Sequence, residues 1–161
     1  MKNAPQKHII IAKVDNKPGV VSRISGLFTR RGYNIESLVT CMTLSNDVYH
    51  LTISVISTED ELYLLTNQLG RIMEVITVFP ADGEDCVKSE LMLIKVTASP
   101  DERSNVITLA DALKLKISAV SDSSIIIEAV GESSKLDGVI KAFEPFGIVD
   151  AVRSGTIALD I

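Results

Sequence analysis

The residues best placed to act on a small molecule lie in Asp15-Asn16-Lys17-Pro18-Gly19-Val20, after one apolar run and before an amphipathic one. A helix opening here exposes backbone N–H groups that have no acceptor within the helix. Together with the positive end of the helix dipole they form a seat for a carboxylate. Gly19 lacks a Cβ, so a ligand can come close to the backbone. Asn16 offers an amide donor and an acceptor, enough to read a group charged at both ends. The same asparagine would also serve as a plain helix cap, and Pro18-Gly19 as a plain turn. A second polar marker, Asn34, follows in Arg31-Gly32-Tyr33-Asn34-Ile35-Glu36. It faces either its own turn or a neighbouring copy of the chain.

Other chemistry finds no convergent groups. His8 and His50 are the only histidines; each falls in an apolar run without Cys or carboxylate at ligand spacing. No nucleophile elbow, phosphate loop or dinucleotide fingerprint occurs. Glu59-Asp60-Glu61 reads as negative charge at a helix start, where the dipole favours it. Asp82, Glu84 and Asp85 read as solvating residues of a linker. We therefore expect no catalytic residue and no metal ligand in this chain.

The elements that hold the two asparagines follow from periodicity. His8 to Val14 is short and β-branched, as suits a strand buried on both faces. Pro18 is tolerated in a first helical turn, and Val20, Val21, Ile24, Leu27 and Phe28 fall on one helical face, with Gly32 as a left-handed stop. Strands follow at Ile35 to Met42 and Val48 to Val55, joined by the turn Ser45-Asn46-Asp47. Thr58 and Glu61 form a capping box for a helix carried by Leu62, Leu65 and Leu69, with Gly70 a candidate stop. Val75 to Phe79 closes the unit. The order then repeats: a strand at Leu91 to Thr97, a helix from Ser99-Pro100 through Leu113, strands at Lys116 to Val120 and Ile125 to Val130, a helix around Leu136 to Phe143, and a strand at Ile148 to Val152. Two βαββαβ units imply an α+β protein with two ferredoxin-like modules in tandem. The expected division is 1–80, a linker at 81–85, and 86–161. Sheets of this type leave an edge or face to cover, and self-association into a dimer is the usual remedy.

Composition bounds the rest. The chain has 161 residues, 46% hydrophobic and only 4% aromatic, so the cores must be built from aliphatic side chains. A net charge of −5 argues against a nucleic-acid partner. Cys41 and Cys86 are far apart, which suits reduced thiols in the cytoplasm. The stretch 37–58 is broken by its polar turn and does not suit a bilayer. No membrane association is expected.

Taken together, these segments resemble the ACT domain, a βαββαβ module that senses amino acids. The run Gly26-Leu27-Phe28-Thr29-Arg30-Arg31-Gly32-Tyr33-Asn34-Ile35-Glu36-Ser37-Leu38 is similar to the signature of the small regulatory subunits of acetolactate synthase (acetohydroxyacid synthase). Glu90-Leu91-Met92-Leu93-Ile94-Lys95-Val96 and Val152-Arg153-Ser154-Gly155 resemble the C-terminal module of that family. The resemblance spans His8 to Gly155. It implies a catalytic large subunit as partner, carrying thiamine diphosphate, Mg²⁺ and FAD, with no cofactor in this chain. It also implies activation of that partner, feedback inhibition by a branched-chain amino acid such as valine, and an effector held between two paired ACT domains. Asn16 and Gly19 would hold the amino acid from one chain, and Asn34 with the backbone of Ile35 from the other. Lys17, Pro18, Val20 and Val21 would line the pocket. An ACT-type sensor serving a different enzyme is the alternative.

Overall fold

The computed structural model describes residues 4–81, 83 and 85–161, so Asp82 and Glu84 of the expected linker lie outside the described residues. The chain divides into two units. One comprises the residues up to Val87 together with Thr156–Ile161, the other Lys88–Gly155.

The first unit contains β1 (Gln6–Asp15), α1 (Val20–Arg30), β2 (Ile35–Met42), β3 (Val48–Ser57), α2 (Glu59–Leu69) and β4 (Val75–Pro80). The sheet order is β2-β3-β1-β4, with every neighbouring pair antiparallel, so β2 and β4 are its edges. Ile10, Ala12 and Val14 of β1 and Leu51, Ile53 and Val55 of β3 share one face. They form a single core with Val20, Ile24, Leu27 and Phe28 of α1 and Leu62, Leu65 and Leu69 of α2. The period-2 pleat and the 3.6-residue helix thus meet on one apolar layer. The opposite side of β1 is buried too: Ile9 and Ile11 pack with Ala81 and Ala158. That second layer explains why β1 reads as an unbroken apolar run.

Ala158 belongs to a short strand, β9 (Ile157–Asp160), that the periodicity did not announce. Its N–H donates to Thr52 Oγ1 at 3.3 Å. Its carbonyl lies 2.8 Å from His50 Nε2, and because a carbonyl only accepts, this nitrogen carries the proton. Ile161 N–H reaches the Asp85 carbonyl at 2.9 Å. By contact, Cys86, Val87 and 156–161 lie with the first unit, because the chain end packs on that unit's sheet.

The second unit repeats the order with β5 (Cys86–Thr97), α3 (Arg103–Ala112), β6 (Lys116–Val120), β7 (Ser124–Gly131), α4 (Ser133–Phe143) and β8 (Ile148–Arg153); β5 starts within the first unit. Its sheet runs β6-β7-β5-β8, again antiparallel. Met92, Ile94 and Val96 meet Ile125, Ile127 and Ala129 under Val106, Ala110, Leu136, Val139 and Phe143. Both units are ferredoxin-like, and the fold is α+β. Among the described residues, no helix is long and apolar enough to cross a membrane.

Local signals differ in one respect. Pro18 stands before α1 rather than in its first turn, because Gly19 is the N-cap. Gly32 takes the left-handed conformation (φ +75°), whereas Gly70 ends α2 in a right-handed one.

Candidate functional site

The loop between β1 and α1 is fastened at both flanks. The Asp15 N–H donates to the Glu74 carbonyl at 2.8 Å, and the Asn16 N–H to the Asp47 carbonyl at 2.8 Å. The Asn16 side chain does not cap the helix. Its Nδ2 donates to the Asn46 carbonyl at 2.8 Å, tying the loop to the β2–β3 turn. One amide hydrogen and the carbonyl oxygen of that side chain remain for other contacts. Gly19 adopts φ +84° and ψ −5°, a conformation that L side chains resist. Its carbonyl accepts the Arg23 N–H at 3.0 Å, which closes the first helical turn.

The electrostatics favour an anion. No acidic residue occupies the first turn of α1, so the positive end of its dipole is not countered there. The N–H groups of Val21 and Ser22 fall in that turn, where the helix supplies no acceptor. Lys17 is exposed and pairs with Asp15 Oδ2 at 2.7 Å. This hydrogen bond, with the Asp15 charge and a smaller pull from Glu74, raises the Lys17 pKa, so it stays cationic at neutral pH.

The expected site residues divide into three sets. Asn16, Lys17, Pro18 and Gly19 are exposed together at the mouth of α1. Val20 is only 2% exposed and packs in the core with Ile24 and Phe28, and its N–H donates to the Lys17 carbonyl at 3.4 Å. Val21 is half-buried beside it. Asn34 and half-buried Ile35 stand at the far end of the helix. An α-helix rises about 1.5 Å per residue, so the 11 residues of α1 put about 16 Å between the two asparagine groups. One chain does not bring them together. At the Asn34 end, the β2–β3 register shifts between Ile35 and Ser37, a bulge that re-aims the residues around it. Burial pushes the neighbouring Tyr33 phenol up, with Glu61 adding to the shift.

Glu74, Arg23 and the Asn46–Asp47 carbonyls were not singled out by sequence. Glu74 lies between Met73 and Val75, immediately before β4, and is buried; a lone carboxylate in an apolar run was the available signal.

Set beside known proteins, residues 10–77 match the AHAS small subunit-like ACT domain, and residues 89–160 match the small subunit of acetolactate synthase. The chain is 38% identical over 156 residues to the acetolactate synthase small subunit of Mycobacterium bovis, covering 97% of this chain and 93% of that protein. The chain belongs to the acetolactate synthase small-subunit family. The small subunit of Bacillus subtilis is 36% identical over 153 residues, covering 94% of this chain and 89% of its own length. The crystal structure of the Thermotoga maritima small subunit superposes with a TM-score of 0.85 at 28% identity, covering 97% of this chain and 98% of that one. The ACT match runs from β1 into β4, so the loop at Asn16 and the bulge at Ile35 both lie in the ACT domain of this small-subunit fold.

Proposed function

We propose that this chain is the regulatory subunit of an acetolactate synthase: it raises the activity of a catalytic large subunit and carries feedback inhibition by a branched-chain amino acid, valine first among them. Membership of the small-subunit family supports the partnership. Thiamine diphosphate, Mg²⁺ and FAD would belong to that partner, and the complex would work in the cytoplasm. The observation that carries the sensing role is the mouth of α1, where uncapped amides, Lys17 and Asn16 converge on one small exposed area.

In this reading the effector carboxylate takes the N–H groups of the first turn, and the asparagine side chains and nearby carbonyls receive its ammonium. Because Asn34 stands about 16 Å from that mouth by the helical rise, the second asparagine comes from another copy. β2 is a sheet edge with free pairing capacity, and pairing through it covers that edge. Effector binding and dimer contact are then linked, with a coupling of about 1–3 kcal/mol typical of such devices. Choice among valine, leucine and isoleucine is modest, since one methylene is worth about 1–3 kcal/mol.

The test is reconstitution with the large subunit while each amino acid is titrated and acetolactate formation is followed. Activation by the chain and inhibition by at least one branched-chain amino acid are expected. Asn16→Ala and Asn34→Ala should each relieve inhibition and leave activation intact. Full inhibition of both variants would place the effector elsewhere.

A further inference from the structure

We infer that Glu74 is a positioning residue for the effector loop, holding both ends of the segment that meets the amino acid. This rests on the sensing role proposed above. Glu74 makes two connections to one loop. Its backbone carbonyl accepts the Asp15 N–H at 2.8 Å where β1 ends. Its carboxylate oxygen Oε1 pairs with the Arg23 guanidinium, one turn into α1. Arg23 in turn closes the first helical turn on Gly19 through its own N–H, at 3.0 Å. Asp15 and Arg23 thus bracket residues 16–22, which include the exposed Asn16 to Gly19, and one residue outside the loop fixes both.

The arrangement is a poor one for stability alone. Glu74 is 6% exposed, while the Arg23 side chain is 59% exposed and half given to water. The second carboxylate oxygen, Oε2, is buried with no hydrogen-bond partner among the described residues. A buried charge with one oxygen unsatisfied is disfavoured, and an apolar pair of similar volume commonly serves stability as well or better. Arg23 also lies near the positive end of the helix dipole, where a cation is unwelcome. What the pair supplies is geometry: it sets the distance between the end of β1 and the first turn of α1, and with it the aim of the free amides.

Full-length variants separate positioning from packing. Glu74→Gln keeps the shape and the backbone carbonyl but loses the charge. The double variant Arg23→Leu with Glu74→Leu replaces the pair by apolar contact, and Arg23→Lys keeps the cation. Calorimetric titration with valine, leucine and isoleucine and thermal melting are measured on each. Glu74→Gln and the double variant are expected to bind at least fivefold more weakly than the unaltered chain, the double variant melting no lower than it, and Arg23→Lys to bind within twofold. Unaltered affinity in Glu74→Gln overturns the inference, and this variant decides alone if the double variant does not fold. If Asn16→Ala abolishes binding while Glu74→Gln leaves it unchanged, only the role of Glu74 fails. If the unaltered chain takes up none of the three amino acids, the sensing role fails and this inference with it.

Discussion

Gly19 carries the backbone requirement of the candidate site. A Cβ built there meets no atom within 4 Å, so space is not what demands glycine. The demand comes from φ +84°, a conformation that costs an L residue about 1–2 kcal/mol. Gly19→Ala should therefore lower stability by about that amount in a urea titration, and in calorimetry it should weaken the effector too if the loop relaxes to escape the strain. A stability equal to that of the unaltered chain would show that the left-handed turn is not held. The polarity and spacing of Asn16 marked it out in the sequence, but its tether to Asn46 was not legible, because that contact spans 30 residues and depends on the β1–β3 register. The burial of Val20 was illegible for a related reason: at a helix mouth the sequence does not say which side chain turns inward, and Val20 packs in the core while its N–H donates to the Lys17 carbonyl at 3.4 Å.

Among the elements, α1 and α2 were the most legible. Val20, Ile24, Leu27 and Phe28 mark one buried stripe, and Gly32 ends it as its positive φ requires. The capping box at α2 forms as written: Thr58 N–H donates to Glu61 Oε2 at 2.8 Å, and Glu61 N–H to Thr58 Oγ1 at 3.3 Å. The Thr58 backbone hydrogen bond, then its hydroxyl, holds the Glu61 carboxyl below the ordinary value of 4.5. A folded-state pKa below the unfolded one favours the folded state above the ordinary value, and that benefit is lost as pH falls through the depressed one. Thermal midpoints of the first unit should thus decline on acidification below 4.5, and Glu61→Gln should flatten part of the decline. A parallel decline in that variant would assign the effect to other carboxylates. β9 was illegible for the opposite reason: four residues, one of them buried, carry too little periodicity to declare a strand.

At the scale of the whole molecule, the chain end returns to the first unit. Ala158 completes the second layer over Ile9 and Ile11, and His50 and Thr52 find partners in it. Truncation after Gly155 uncovers that layer. The expected loss is about 1–3 kcal/mol, the usual range for a disrupted apolar contact set, read as faster amide exchange in β1 and β3 with β7 unchanged. Exchange that stays unaltered in β1 and β3 would mean the strand adds nothing to the first unit's sheet.

The central claim is that each effector site draws Asn16 from one chain and Asn34 from another. Mixing Asn16→Ala chains with Asn34→Ala chains tests it most directly. Neither variant alone should bind valine. After subunit exchange about half the dimers are mixed, and each holds one site with both asparagines intact, so calorimetry should recover about a quarter of the original sites. If the mixture binds no more valine than the separate variants, the two asparagines do not meet across a pair of chains.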